Sequence, residues 1–292
     1  MPAPQFAGLK KERGENMALL GDETPRWHSR LEEIDCPVDE IRMPKLDGYC
    51  PTQDREWCEV VIDGQPRRVR FHNYADLYKI PGLYEGLFYG KLKCCSPSQV
   101  ARLLEDVMAD FGCEASDLCV LDLGAGNGMV GDELAARGVR QMVGIDIVQE
   151  AREAADRDRP GLYEDYLVTD LTNIPEHEEE LLRAKKFDCL SCVAALGFGD
   201  IPAKAFAKAV DLIETPGWLA FNIKESFLSE HDDSGFARLI RELSRREVIQ
   251  IQAYRRYRHR ISVTGQPLHY VAVIARKLRD MPDDVLADVG EA

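Results

Sequence analysis

The stretch Val120-Leu-Asp-Leu-Gly-Ala-Gly-Asn-Gly-Met-Val-Gly131 decides the fold of this chain. The apolar run from Cys119 to Leu123 is typical of a buried strand. It breaks into glycines at 124, 126 and 128, which allow a tight turn and let a ligand approach the backbone closely. The segment from Met129 to Arg137 contains helix formers and an apolar stripe, so we expect a helix directly after the glycines. The unpaired N–H groups at the start of that helix would point at whatever binds there.

Strand and helix patterns alternate around this loop. We predict strands at 119–123, 140–145, 163–168, 187–193 and 218–223, with helices between them at 128–137, 148–156, 176–184 and 202–213. This alternation predicts a parallel sheet with helices on both faces. A helix with Ser96 as its predicted N-cap and Pro97 in its first turn precedes the sheet. After it come a helix over 234–245 and a hairpin with strands near 247–257 and 268–276.

The two ends of the chain do not follow the alternating pattern. Residues 1 to about 55 carry several prolines and little periodicity, so we expect an irregular extension, followed by a small hairpin near 57–71 that turns at Asp63-Gly64. The stretch 279–292 is acidic with little apolar content, and we expect it to lie loosely or to be disordered. The predicted units are an N-terminal extension with a lid segment over 1–95, an α/β domain over 96–278 and an acidic tail over 279–292.

Composition and charge argue against several classes of protein. The 292 residues carry a formal net charge of −14, and because phosphate binding needs a positive surface, a nucleic-acid partner is not expected. We interpret the basic run from Arg255 to Arg260 as a solvated face or a contact with the acidic remainder of the chain. The sequence contains no apolar run of about 18 residues, the length needed to span a membrane, so a membrane span is not expected. The N-terminus has no secretory pattern, so we expect a cytoplasmic protein.

The nine cysteines form no recognisable metal site. They lack two CxxC motifs at zinc-site spacing, and we predict no metal. Cys189-Leu-Ser-Cys192 lies inside an apolar run that is typical of a buried strand. Its two sulfurs should therefore point to opposite faces of the sheet and pack in the core.

Two cofactor patterns overlap in the glycine loop. Gly126-Asn-Gly-Met-Val-Gly131 satisfies the dinucleotide pattern GxGxxG, and Asp146 follows Gly126 by 20 residues, where a ribose-binding acid belongs. The same stretch also reads Asp122-Leu-Gly-Ala-Gly-Asn-Gly128, which resembles the first motif of class I S-adenosylmethionine-dependent methyltransferases. A carboxylate at Asp122 would repel a pyrophosphate, whereas it suits the ammonium and sulfonium of S-adenosylmethionine. The residues therefore favour the methyl donor.

Two later stretches resemble further motifs of this family. Val143-Gly-Ile-Asp-Ile147 is similar to the second motif, which implies that Asp146 accepts both ribose hydroxyls. Leu167-Val-Thr-Asp-Leu171 is similar to the third motif, which implies that Asp170 lies beside the adenine amino group, with Leu171 or Ile147 against the ring. The resemblance implies a three-layer, seven-stranded Rossmann-like methyltransferase fold with a closing β-hairpin, and S-adenosylmethionine as cofactor. The implied cofactor-binding residues are Asp122, Gly124, Ala125, Gly126, Asp146, Ile147, Asp170, Leu171 and Val193.

The resemblance also favours a small-molecule acceptor. Leu162-Tyr163, the run Phe187 to Leu196 and the tyrosine-rich segment before the domain are similar to the small-molecule type, near the methyltransferase-like protein of the Williams–Beuren critical region. The run Val193-Ala-Ala-Leu-Gly-Phe198 stands where base and amide N-methylating enzymes carry Asn-Pro-Pro-Tyr, so methylation of DNA adenine or glutamine is disfavoured.

Candidate acceptor-site residues come from loops at the carboxyl ends of the strands and from the lid. The lid and substrate candidates are Tyr74, Tyr78, Tyr89 and Phe198, and the titratable candidates for a base are Glu225 and His231. The sequence leaves the catalytic residue, the acceptor atom (O, N or C) and the oligomeric state open. The alternatives are an aminopropyl transferase, a dehydrogenase and a non-catalytic protein that retains the cofactor site for an interaction role.

Overall fold

The structure is a computed structural model that describes residues 26–45, 48, 51–196, 200–228, 235–282 and 284–285. In chain order the helices and strands are α1 (Arg26–Glu33), β1 (Val38–Arg42), β2 (Trp57–Ile62), β3 (Gln65–Arg70), α2 (Tyr74–Lys79), α3 (Ser96–Asp110), β4 (Cys119–Leu123), α4 (Met129–Ala135), β5 (Gln141–Asp146), α5 (Gln149–Asp158), β6 (Asp165–Val168), α6 (Glu176–Lys185), β7 (Cys189–Cys192), α7 (Ala203–Asp211), β8 (Gly217–Lys224), α8 (Phe236–Arg245), β9 (Ile249–Ile261) and β10 (Pro267–Lys277). A π-helical turn, Glu85–Lys91, lies between α2 and α3.

The central sheet has seven strands in the order β6-β5-β4-β7-β8-β10-β9. Strands β4 to β8 pair in parallel, and β10 lies antiparallel between β8 and β9. The order in which strands are added reverses at β4, since β5 and β6 lie on one side of it and β7 and β8 on the other. The loops after β4, β5 and β7 therefore meet at the carboxyl ends of the strands. The predicted fold class is confirmed, including the closing hairpin.

Hydrophobic cores lie on both faces of this sheet. One contains apolar residues of α6, α7 and α8, and the other contains those of α3 and α4. Cys189 packs in the α3 and α4 core and Cys192 in the opposite one, and both side chains are fully buried. The prediction that the two sulfurs lie on opposite faces and pack in the core is confirmed.

Ser96 does not cap the helix that it was predicted to cap. It is the first residue of α3, and the preceding Cys95 occupies the N-cap position without a capping hydrogen bond from its side chain. Pro97 lies in the first turn as predicted. The Ser96 hydroxyl instead contacts His259 at 2.6 Å, because the β9 strand passes close to the start of α3.

The N-terminal extension contains more regular structure than the sequence predicted. The hairpin is confirmed as β2 and β3, with a turn at Asp63 and Gly64, which both have positive φ. However, β1 pairs antiparallel with β2, and α1 precedes it. The expectation of an irregular segment up to about residue 55 is therefore wrong for the described residues. β1 is an edge strand with no fully buried position, so its alternation is too weak to recognise in the sequence.

The residues after β10 also pack more closely than predicted. Met281 and Val285 are buried in the core beside α8, and Asp284 lies 2.6 Å from Arg246. The expectation of a loose tail is wrong for the described part of 279–292. Two apolar side chains four residues apart are enough to dock a segment whose average composition is acidic. No helix in the described ranges is long and apolar enough to cross a membrane.

Candidate active site

A cavity of about 340 Å³ lies at the carboxyl ends of the parallel strands. Its volume is in the range of small-molecule and cofactor sites. The cavity is covered by α2 and the turn after it, which form the lid and contribute Tyr74, Tyr78 and Tyr84 to the lining. The remaining lining residues are Leu123, Gly124, Ile145, Asp146, Ile147, Val148, Thr169, Asp170, Leu171, Val193, Ala194, Ala195, Asp200, Ile201, Pro202 and Ala205.

The glycine loop follows β4 and turns under the cavity. The amides of Gly124 and Ala125 donate to the carbonyl of Ile145, at 2.8 and 3.1 Å. Gly126 has φ +54°, and a Cβ atom there would collide with the hydroxyl of Tyr78. Only a glycine both adopts this backbone conformation and leaves room for the lid.

Asp146 ends β5 and connects this strand to the glycine loop and to the residue before α5. One carboxylate oxygen accepts from the amide of Gly126 and the other from the amide of Val148, both at 3.0 Å. Each carboxylate oxygen can accept a further hydrogen bond, and Asp146 also lines the cavity. Burial raises the pKa of this carboxyl group, against the opposing effect of the amide hydrogen bonds.

Apolar surface lies beside Asp146 in the cavity wall. Ile147 is 62% exposed although it lines the cavity, and Leu171 forms part of the same wall. The Asp170 side chain accepts from the amide and hydroxyl of Thr172, both at 2.8 Å, and so fixes the turn after β6. S-adenosylmethionine needs a carboxylate for its ribose diol, an apolar surface for its adenine ring and a glycine loop that it can approach closely. The residues present provide all three and therefore fit this cofactor.

Asp122 does not reach this cavity. It is 1% exposed, and its two oxygens accept hydrogen bonds from the hydroxyls of Tyr163, at 2.7 Å, and Ser191. Burial raises its pKa to about 6. The expectation that Asp122 faces the ammonium of the cofactor is thus corrected, because Tyr163 and Ser191 enclose the carboxylate beneath the loop.

The other predicted site residues divide into four groups. The structure places Gly124, Asp146, Ile147, Asp170, Leu171, Val193, Tyr74 and Tyr78 in the cavity wall. Ala125 and Gly126 lie behind the wall, where Ala125 packs against Tyr166 and the Tyr166 hydroxyl donates to the Gly126 carbonyl at 2.8 Å. Phe198 and His231 lie outside the described residues.

Two candidates are placed away from the cavity. Tyr89 is buried against Trp27, with ring centroids 6.1 Å apart, so it is a packing residue and does not line the lid. Glu225 is exposed and accepts from Arg256 at 2.9 Å. It lines none of the described cavities, because its side chain turns toward the outer strand β9.

A second, smaller cavity of about 30 Å³ adjoins the first. Its polar wall includes Gln53, His72, Asp200, His259 and Tyr270. The Asp200 carboxylate lies 3.0 Å from His72 Nδ1 and accepts from the Tyr74 hydroxyl at 3.2 Å. No sequence pattern marks these residues as neighbours, because they come from the extension, the lid, the loop after β7 and the closing hairpin.

A buried polar cluster joins the second cavity to the loop after β7. Ser96 Oγ lies 2.6 Å from His259 Nδ1 and accepts from the amide group of Asn222 at 3.0 Å. Asn222 Oδ1 in turn accepts from the amide of Ala194 at 2.6 Å, and Ala194 has φ +60°. Burial, and next the charge of Arg260, lower the pKa of His259 well below its ordinary value. The cluster therefore holds a neutral imidazole and a strained loop in place.

The described residues contain no group of three or more histidine, cysteine or carboxylate side chains that could hold a metal ion.

Comparison with known proteins identifies the family. The model of the family described as "Methyltransferase domain" matches residues 97–265, which is more than half of the chain. No curated protein matches.

The chain is similar to solved structures at low identity. Magnesium protoporphyrin IX methyltransferase from Synechocystis PCC 6803 with bound S-adenosylmethionine is 18% identical, with 62% of this chain and 79% of that chain covered and a TM-score of 0.43. A putative RNA methyltransferase from Pyrococcus horikoshii is 14% identical, with 63% and 84% covered and a TM-score of 0.44. Ribosomal protein L11 methylase from Lactobacillus delbrueckii subsp. bulgaricus is 17% identical, with 63% and 79% covered and a TM-score of 0.41.

The family match and the fit of the cavity agree, and S-adenosylmethionine is the cofactor. The chain belongs to the methyltransferase domain family.

Proposed function

We propose that this protein transfers the methyl group of S-adenosylmethionine to a small molecule. The observation that carries the proposal is the arrangement of the two adjoining cavities beneath α2. The larger cavity has the volume of a cofactor site, and the smaller one offers about 30 Å³ beside it. Tyr78 of the cover lies directly against Gly126 of the glycine loop, which leaves little room for the surface of a macromolecule.

The chain's own residues supply alignment and exclusion of water. Methyl transfer is an in-line displacement, so most of the available acceleration comes from holding the two reactants together in a dry site. Asp146 and the glycine loop would hold the donor, and the aromatic lid would exclude water. The bound cofactor would supply an electrophilic methyl group.

Charge supports the same substrate class. A formal net charge of −14 is unfavourable for binding RNA or DNA, whose phosphates need a positive surface. The Williams–Beuren type of small-molecule enzyme remains a prediction from the motifs.

A fractionated label-transfer experiment tests the proposal. The full chain is incubated with S-adenosylmethionine carrying a tritiated methyl group and a cell extract separated by size into a small-molecule fraction, a protein fraction and an RNA fraction. We expect tritium to enter the small-molecule fraction. Label in protein or RNA would overturn the substrate class, and no transfer to any fraction would favour the non-catalytic alternative.

A further inference from the structure

The two cavities meet at one group of residues. Five residues line both spaces, namely Tyr74, Tyr84, Ala194, Ala195 and Asp200. A donor bound in the larger cavity would therefore meet, beside Asp200, the hydroxyl group of an acceptor that reaches into the smaller one, whose volume of about 30 Å³ suits such a group.

Asp200, one of these shared residues, holds an imidazole of the smaller cavity in a defined orientation. His72 Nδ1 lies 3.0 Å from Asp200 Oδ2, and the side chains are 18% and 24% exposed. A carboxylate that accepts from Nδ1 fixes the tautomer in which Nε2 can take a proton. The Tyr74 hydroxyl donates to the same carboxylate oxygen at 3.2 Å and so fixes the position of Asp200.

The hydrogen bonding of Gln53 indicates what kind of ligand group would bind beside it. Its amide nitrogen donates to the Tyr270 hydroxyl at 3.0 Å, whereas its buried Oε1 has no hydrogen-bond partner among the described residues. If the amide were turned over, its nitrogen would be the unpaired atom, so one buried polar atom of this cavity-lining residue is left without a partner in either orientation. Buried polar groups are ordinarily paired, and an O–H group on a ligand would pair this one.

These observations lead to one assignment, which rests on the proposed function. We propose that the smaller cavity binds the hydroxyl group of a small-molecule acceptor, that His72 is the catalytic base and that Asp200 is its positioning residue. A neutral amine can attack a methyl group without first losing a proton, whereas a hydroxyl needs a base, so an oriented imidazole favours a hydroxyl acceptor.

The step balances without any further reagent. The acceptor oxygen forms a bond to the methyl carbon as the carbon–sulfur bond breaks and its electron pair stays on sulfur. The hydroxyl proton passes to His72 Nε2. The products are a methyl ether, S-adenosylhomocysteine and a protonated His72, which returns its proton to water.

A spectroscopic titration tests the base without knowledge of the natural acceptor. The full chain is saturated with S-adenosylhomocysteine and titrated with para-nitrophenol at a pH just below the pKa of the free phenol. The phenolate form absorbs visible light and the phenol form does not, so the spectrum reports whether the bound probe has lost its proton. We expect the wild-type protein to increase the phenolate band, and we expect His72→Gln to lose this increase.

Matched variants separate a base from a residue that only fastens the lid. Asp200→Asn should reduce the phenolate band, because it removes the group that orients the imidazole. His28→Gln removes the histidine of an exposed pair, His28 and Glu32, whose atoms lie 3.6 Å apart on α1, and it should leave the band unchanged. S-adenosylhomocysteine affinity, measured by calorimetry for each variant, verifies that the cofactor site is folded.

Two results would overturn the assignment: no phenolate band with the wild-type protein, or a band that His72→Gln leaves intact while S-adenosylhomocysteine still binds. Failure of the proposed function would look different. Tritium in a macromolecular fraction together with a His72-dependent band would reject the small-molecule substrate and leave the base in place.

Discussion

Asp122 has a different role from the one that its motif implies. The residue lies two positions before the first glycine of the loop, where the family resemblance predicts contact with the cofactor. In the structure, each of its oxygens accepts a hydrogen bond, one from the Tyr163 hydroxyl and the other from the Ser191 hydroxyl. A buried carboxylate with two hydroxyl donors serves to hold β4, β7 and the segment after α5 together beneath the loop.

The buried state of Asp122 predicts a pH-dependent stability. Its pKa rises from an ordinary value of 3.8 to about 6, so between these values the native state binds more protons than the unfolded state. The contribution of Asp122 to the free energy of unfolding therefore falls as pH rises through this window, and the penalty is complete above it. Asp122→Asn cannot ionise and avoids the penalty. The stability of this variant relative to wild type should increase by about 2 kcal/mol from about pH 4 to about pH 7.

Chemical denaturation of both proteins at the two pH values measures this difference. A stability difference that does not change with pH would show that Asp122 titrates at its ordinary value in the folded protein.

At the scale of elements, the site depends on how β5 is tied to its neighbours. Asp146 accepts from the amide of Gly126 in the glycine loop and from that of Val148 just before α5. The carboxylate therefore holds the loop and the start of the helix in register with the strand. The lid depends on the same contacts, because Tyr78 of α2 lies directly against Gly126.

Replacing this carboxylate should weaken cofactor binding. In Asp146→Asn one oxygen becomes an NH₂ group, which cannot accept from a backbone amide or from a ribose hydroxyl. We expect S-adenosylhomocysteine binding to weaken by about 1.5–3 kcal/mol, measured by isothermal titration calorimetry. Asp156→Asn, an exposed change on α5, is the control and should bind normally. Unchanged affinity in Asp146→Asn would remove Asp146 from the cofactor site.

At the scale of the whole molecule, the extension is anchored to the closing hairpin by a buried ion pair. Glu56 accepts from Arg260 at 2.5 Å and from the amide of Val263 at 2.7 Å, and the Glu56 and Arg260 side chains are 1% and 3% exposed. Gln53 lies just before β2 and His72 just after β3, and both line the second cavity together with Arg260. The ion pair therefore holds the wall of this cavity in place. It also confirms the interpretation of the basic run as a contact with the acidic remainder, together with the exposed pair of Arg256 and Glu225.

Breaking the buried pair should cost far more than breaking the exposed one. Glu56→Ala leaves the Arg260 charge buried without its partner, and we expect the free energy of unfolding to fall by about 3–5 kcal/mol. Glu225→Ala removes a solvent-exposed partner and should cost less than about 1 kcal/mol. Urea denaturation measures both values. Equal losses in the two variants would mean that Arg260 is solvated in the folded protein.

The sequence by itself determined the sheet, the glycine loop and the cofactor. Strand and helix periodicities are local, so the pattern from Cys119 to the closing hairpin could be predicted within a few residues at most boundaries. Asp146 was found for the same reason, because the end of a buried strand is visible in the chain. The weakly patterned β1 and the docked Met281 were missed, since each depends on a few apolar contacts with distant segments.

Only the tertiary structure decided what surrounds the acceptor. Gln53, His72, Asp200 and His259 belong to four separate segments and share no spacing or motif, so nothing local marks them as neighbours. Packing of the extension against the hairpin brings them to one small cavity. Tertiary packing also encloses Asp122, because the hydroxyls that donate to its oxygens belong to residues 41 and 69 positions further along the chain. Local periodicity specifies elements, whereas the partners of a buried polar group are set by which elements meet.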